Sequence, residues 1–114
     1  MKQIKYGITN KIITMSRKIT TEAISAFELG IPFKKSNTEV VREGTIYYLK
    51  LFGNKIAARY EDGRTWISNA GWDTNTTKER LNGFQFVRIN QKKGEWYLNG
   101  KLWDGSPTYI DTTW

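Results

Sequence analysis

Residues 38–68 read TEVVREGTIYYLKLFGNKIAARYEDGRTWIS. The stretch holds four runs rich in β-branched and aromatic residues, Thr38–Arg42, Thr45–Phe52, Lys55–Glu61 and Arg64–Ser68, the composition that suits a pleated, half-buried strand. Between the runs stand Glu43-Gly44, Gly53-Asn54 and Asp62-Gly63, pairs of the kind that close tight hairpins. Strands joined so closely pair antiparallel, so the stretch predicts a meander.

The pattern continues downstream. Phe84–Asn90 and Glu95–Leu98 are β-prone and joined by Gln91-Lys92-Lys93-Gly94. Asn99-Gly100 is the strongest type I′ hairpin signal in the chain, and Lys101–Trp103 is expected to pair back across it. The tail from Gly105 to Trp114 reads as a turn followed by a short β-prone piece. Tyr47-Tyr48-Leu49 before Gly53-Asn54 echoes Trp96-Tyr97-Leu98 before Asn99-Gly100, but two copies are ordinary hairpins rather than a repeat architecture.

Two helices interrupt this β reading. In Asn69–Gly83, Thr76 is placed to cap a helix that starts at Thr77, with Glu79 reaching back in a capping box and Asn82-Gly83 supplying a left-handed stop. So short a helix needs docking, for which Leu81 and Trp72 are the apolar anchors, while Lys78 and Arg80 point to solvent or a ligand. Upstream, Thr20 or Thr21 caps a second helix, Glu22 suits its first turn, and Ala23, Ile24 and Phe27 form its apolar face. Gly30 ends it, and Pro32 keeps Ile31 extended. Phe33-Lys34-Lys35-Ser36-Asn37 reads as a polar connection. The first fifteen residues offer two β-prone pieces, Lys2–Ile8 and Lys11–Met15, about a turn at Thr9-Asn10.

The fold class that follows is α+β: one antiparallel sheet of about six to eight strands with two short helices on a face or end. At 114 residues the chain is a single domain, 1–114, with residues 1–15 as part of it or as an N-terminal extension.

Composition removes many functions. There is no cysteine and no histidine, which takes away disulfides, thiolate metal sites, the usual zinc ligand and the usual general base. Asp73 and Asp104 each follow a tryptophan, where an apolar ring can raise a carboxyl pKa, yet each also opens a turn, the simpler reason for its presence. Asn75-Thr76-Thr77 matches a glycosylation acceptor without a secretory context, and the ten glycines form no phosphate-binding fingerprint. The expectation is a non-enzyme with no metal and no cofactor. No run approaches the roughly 18 apolar residues of a membrane span, so a cytoplasmic location without membrane contact is expected.

Charge and aromatic content point to binding. The net charge is +7, from 18 basic and 11 acidic residues. Residues 1–60 hold 11 Lys and Arg against 4 Asp and Glu, whereas residues 61–114 hold 7 of each. That asymmetry suits a polyanionic partner, although a like-charged surface also serves solubility. Arg59-Tyr60, Arg64-Thr65-Trp66 and Lys101-Leu102-Trp103 interleave cations with aromatics, as base stacking on a basic sheet requires. Alternation of a buried ring with a solvated charge produces the same spacing.

The ordered set Leu51-Phe52-Gly53-Asn54-Lys55-Ile56-Ala57, Gly71-Trp72, Thr76-Thr77-Lys78-Glu79-Arg80-Leu81-Asn82 and Gln91-Lys92-Lys93-Gly94-Glu95-Trp96-Tyr97-Leu98 resembles a group of small uncharacterised proteins encoded by bacteriophages and their bacterial hosts. The resemblance covers residues 36–105, with or without the preceding helix and its Ala26-Phe27, and leaves residues 1–15 outside. It implies a phage or mobile-element origin and brings no catalytic residue with it.

The leading expectation is a phage-type accessory protein that binds nucleic acid through a basic face. Lys34, Lys35, Lys50, Lys55 and Arg59 form that face, joined by Lys78, Arg80, Lys92 and Lys93 if they share it. Thr76 and Thr77 with Lys78 make an anion site at the start of the short helix, unless the threonines serve only as caps. The alternative is a phage-encoded protein that binds and inhibits or redirects a host protein through exposed aromatics and an edge strand. Oligomeric state is left open by the sequence.

Overall fold

The alternation in residues 38–68 does fold into neighbouring antiparallel strands. The computed structural model describes residues 2–110, with side chains from residue 15 onward. In chain order it contains α1 (Lys2–Leu29), β1 (Phe33–Lys35), β2 (Thr38–Glu43), β3 (Ile46–Leu51), β4 (Asn54–Arg59), β5 (Thr65–Ile67), α2 (Asn75–Leu81), β6 (Ile89–Lys92), β7 (Glu95–Leu98), β8 (Lys101–Leu102) and β9 (Thr108–Ile110). A six-stranded antiparallel sheet has the order β1-β2-β3-β4-β5-β9, and β6-β7-β8 form a separate three-stranded sheet. The architecture is α+β, with nine strands and two helices among the described residues.

Hairpin chemistry sets the registers. Leu98 pairs with Lys101 across Asn99-Gly100, both at positive φ (+51° and +86°), as a type I′ turn demands. Two other turns sit one residue earlier or later than the glycine pairs suggested. Gly44-Thr45 closes β2 to β3, and Phe52-Gly53 closes β3 to β4. The second places a non-glycine residue, Phe52, at φ +50°. Phe33–Lys35, expected in a connection, instead form an edge strand, because Phe33 packs on the core and Ser36-Asn37 suffice for a two-residue turn.

The N-terminal region departs most from expectation. Lys2–Ile8 and Lys11–Met15 are not strands, and neither Thr20 nor Thr21 is a cap, since one helix runs unbroken from Lys2 to Leu29. Isoleucine and threonine favour strands only where a sheet neighbour exists to pack against. Here the docked C-terminal half of α1 supplies the nucleus, and each further turn adds hydrogen bonds with no proline to stop it. The end of α1 is as expected: Gly30 adopts φ +72°, and the Ile31 amide donates to Ala26 O at 2.9 Å, the outer bond of a Schellman motif. A Cβ at Gly30 would lie 3.0 Å from the Tyr47 ring, so space as well as φ selects glycine.

The short helix α2 begins two residues before the expected start. Thr74 is the N-cap, its Oγ1 accepting from Thr77 N at 3.2 Å, so Thr76 lies inside the helix and the capping box with Glu79 does not form. Its end is not left-handed either, since Asn82 has φ −68°. Gly83 is a packing glycine: a Cβ there would sit 2.4 Å from Thr20 Cγ2 and 3.1 Å from Ile24 Cγ1, where α2 crosses α1. The Asn82 amide bonds Ile89 N at 2.7 Å and Ile89 O at 3.2 Å, which delays the next strand. Phe84–Arg88 accordingly make turns that bury Phe84 and Val87, and only Ile89 onward is strand.

One cluster joins these elements. Ala23, Ile24 and Phe27 of α1 meet Val40, Leu49, Leu51, Ile56 and Ile67 of the large sheet, with Leu81, Phe84, Trp96 and Trp103 from the C-terminal part. Phe27 and Phe84 pack edge to face at 5.6 Å. The helices therefore cover one face of the six-stranded sheet.

Candidate nucleic-acid interface

Strand registers assign the side chains of the large sheet to its two faces, because directly opposed residues share a face. Phe33, Val40, Leu49, Ala57 and Ile67 form one such row, and they are the core. The adjacent rows are Lys34-Glu39-Lys50-Lys55 and Val41-Tyr48-Ala58-Trp66-Tyr109, on the face turned away from α1. A bulge in β4 at Ile56 keeps both rows on that face while Ile56 and Ala57 stay buried.

The aromatic row is braced by polar contacts. Trp66 Nε1 donates to Tyr60 OH at 3.1 Å, and the Tyr60 and Tyr109 rings lie 6.4 Å apart. The Arg64 guanidinium is 5.4 Å from the Tyr60 ring centre and 5.5 Å from that of Tyr109, within cation–π range. Asp62 accepts from Arg64 Nε at 2.8 Å, and its carboxyl lies below the ordinary value chiefly because the Arg64 backbone and side chain donate to it. Tyr109 is 56% exposed, and Tyr48, Tyr60 and Trp66 are half-buried.

Beside the rings, Lys55 and Lys50 share a carboxylate. Lys55 Nζ donates to Glu43 at 3.0 Å and sits 4.0 Å from the Tyr48 ring centre, and Lys50 Nζ is 3.7 Å from the other Glu43 oxygen. The hydrogen bond from Lys55 is the main cause that lowers the Glu43 pKa, and the same bond raises that of Lys55. Among the described residues Lys34 has no carboxylate partner. This face therefore carries Lys34, Lys50, Lys55 and Arg64, with Glu39, Glu43 and Asp62 interspersed.

The other expected contact residues are distributed differently. Lys35, one position from Lys34, projects to the opposite side and pairs with Glu22 of α1 at 3.2 Å. Arg59 caps α1: Nε and Nη2 donate to Phe27 O at 3.2 and 3.1 Å, and the guanidinium lies 4.9 Å from the Tyr47 ring centre. Lys78 reaches Gln91 and the Trp96 ring. Lys92 and Lys93 occupy the tip of the β6–β7 hairpin, on the other sheet. Thr76 is half-buried on α2, while Thr77 is wholly buried with its hydroxyl 2.9 Å from that of Thr74, and so unavailable to an anion.

Arg80 is the clearest correction. Expected at the surface, it is 2% exposed and donates to Thr38 Oγ1 at 2.9 Å, Thr20 Oγ1 at 2.7 Å, Ser16 Oγ at 3.1 Å, Ser16 O at 3.2 Å and Asn37 Oδ1 at 3.4 Å. Burial lowers its pKa, and the charge of Glu79, 3.9 Å away, opposes that shift. Its role is to tie α1, α2 and β2 together. Trp103 is likewise buried, which withdraws Lys101-Leu102-Trp103 as a stacking element. Asp104 lies below the ordinary carboxyl value because Ser106 donates to it through Oγ and N.

A second surface feature lies at the tip of the β3–β4 hairpin. A cleft of about 390 Å³ runs between Leu51, Phe52, Asn54 and Ile56 on one side and Asn69, Trp72, Thr74 and Thr77 on the other, with apolar walls. Phe52 is 70% exposed and Trp72 58% exposed at its sides. No helix among the described residues is long and apolar enough to cross a membrane.

No curated protein and no solved structure matches the chain. Residues 16–114 match the Kyanoviridae Gp96 protein, a phage family, and the match spans the docked half of α1, both sheets and α2. With that agreement over most of its length, the chain belongs to the Kyanoviridae Gp96 protein family.

Proposed function

We propose that this phage-type accessory protein binds nucleic acid through the face of its six-stranded sheet turned away from α1, acting in the host-cell cytoplasm. The observation that supports this reading is the adjacency, on one face, of a lysine row (Lys34, Lys50, Lys55) and an aromatic row (Tyr48, Trp66, Tyr109). The rows are two residues apart along the strands, about 7 Å, so one extended strand of nucleic acid reaches both. The net charge of +7 adds long-range attraction.

Fluorescence anisotropy with labelled DNA and RNA oligonucleotides across a salt series tests the reading. Three or four phosphate contacts to single strands give a slope of about −2 to −3 in log K against log salt. Glu43→Gln is expected to tighten binding and steepen that slope, because it releases Lys50 and Lys55 from their shared carboxylate. Absence of binding at about 50 mM salt would end the proposal.

The cleft beside Phe52 and Trp72 favours a second reading, in which the protein binds and inhibits or redirects a host protein. Pull-down from nuclease-treated host lysate separates the two. A partner that persists and is lost with Trp72→Ala supports the host-protein reading.

A further inference from the structure

We infer that the target of the sheet face turned away from α1 is single-stranded, with bases stacked on the Tyr48-Trp66-Tyr109 row and phosphates held by Lys50, Lys55 and Arg64. This inference rests on the nucleic-acid reading above and goes beyond it by naming which form is bound and which groups read it. Three observations lead there.

The first is the arrangement of rings. Tyr48 and Trp66 stand on strands two apart and Trp66 and Tyr109 on adjacent strands, so at about 4.8 Å per strand the row spans roughly 14 Å. Rings spread over that length meet several unstacked bases with tolerance of their identity once Lys55 and Arg64, which lie over the Tyr48 and Tyr109 rings, turn to the phosphates. A duplex keeps its base faces inside the helix and offers such a surface only its backbone.

The second is preorganisation. The Trp66–Tyr60 hydrogen bond and the Arg64 guanidinium between Tyr60 and Tyr109 hold the rings in place before any ligand arrives, which reduces the ordering cost of binding. The third is charge. Lys55 already lies over the Tyr48 ring, bridging the lysine and aromatic rows, and beside an incoming strand it exchanges Glu43 for a phosphate. Lys50 and Lys55 share Glu43, and Arg64 pairs with Asp62, so a polyanion gains here by offering three cations more acceptor oxygens than the two carboxylates supply.

The test compares a fluorescein-labelled 12-mer of deoxythymidine, the same backbone with abasic residues, a 12-mer of uridine, and a 12-base-pair duplex, each with wild-type protein and Tyr109→Ala. Tyr109 is an exposed edge-strand residue, and circular dichroism checks that the variant is folded. Trp66→Phe, which keeps an aromatic face, is the milder companion. The expected result is that the thymidine or uridine 12-mer binds at least tenfold more tightly than the abasic strand and the duplex. Tyr109→Ala is expected to weaken that strand about 5- to 100-fold without changing its salt slope, and Trp66→Phe to weaken it less. Equal binding of normal and abasic strands, or an unchanged affinity in Tyr109→Ala, overturns stacking while leaving a phosphate-binding face intact. Failure of every probe to bind overturns the nucleic-acid reading itself.

Discussion

Substituting Arg80 by methionine isolates what its guanidinium does. Methionine keeps a flexible apolar stem in the same space and removes every donor. Thr20 and Thr38, each 5% exposed or less, lose the guanidinium donor to their hydroxyl oxygens, Thr38 keeping its own bond to Asn37 Oδ1, at about 1 kcal/mol apiece. Ser16 O is only part-buried, and its loss adds a fraction of that. Glu79 loses its cationic neighbour at 3.9 Å, worth at most about 1 kcal/mol at a partly exposed site. The total is about 3 kcal/mol, and for a domain of this length that lowers Tm by about 10 °C. Urea unfolding followed by tryptophan fluorescence measures the first figure and calorimetry the second. A double-mutant cycle with Thr38→Val should return a coupling of about 1 kcal/mol. If Arg80→Met unfolds at the wild-type urea concentration, or the cycle shows no coupling, the guanidinium does not join α1, α2 and β2 as described.

Gly83→Ala is expected to destabilise by about 1–3 kcal/mol through overpacking against Thr20, and Thr20→Ser in the same chain should restore most of the loss, because it deletes the clashing Cγ2 and keeps the hydroxyl bonded to Arg80. Urea midpoints decide this, and a double variant no better than Gly83→Ala would show that the glycine serves another purpose. For pH, the carboxyls of Glu43, Asp62 and Asp104 all lie below their ordinary values of 4.5, 3.8 and 3.8 in the folded protein. Their contribution is complete above the unfolded values and lost as pH falls through the lower native ones. With no histidine present, thermal melts should be level from about pH 8 to 5 and decline below about 4.5. A step near pH 6–7 would contradict that assignment.

The parts of the fold that were legible are those in which local chemistry and tertiary context agree. Between two β-prone runs Asn99-Gly100 specifies a left-handed two-residue turn, whereas the same dipeptide at Asn82-Gly83 follows a helix and does not, and the runs between residues 38 and 68 had flanking turns to delimit them. Lys2–Met15 carried no such delimiters, and their β-branched residues were outweighed by a helix already nucleated downstream. Thr74 and Thr76 both offer a capping hydroxyl, and the choice between them depends on burying Thr77, Arg80 and Leu81 together. Cations were hardest to place, because a lysine or arginine looks the same in sequence whether it faces water, caps a helix as Arg59 does, or lies within the fold as Arg80 does. Lys34, Lys50 and Lys55 stood among the expected basic residues and Arg64 beside Trp66 as an interleaved pair, whereas Tyr109 came to their face only through the pairing of β5 with β9.

That pairing unites positions 65–67 with 108–110, and it governs the order of assembly during synthesis. Every other strand of the large sheet meets its partner within a few residues, so the meander can form while translation proceeds. Thr65–Ile67 must wait with one margin open until the ribosome has delivered more than forty further residues, a vulnerable interval for a hydrogen-bonding edge. Tyr109 is thus the last ring of its row to reach the sheet, and a protease cutting near Pro107 would detach it while sparing most of the core.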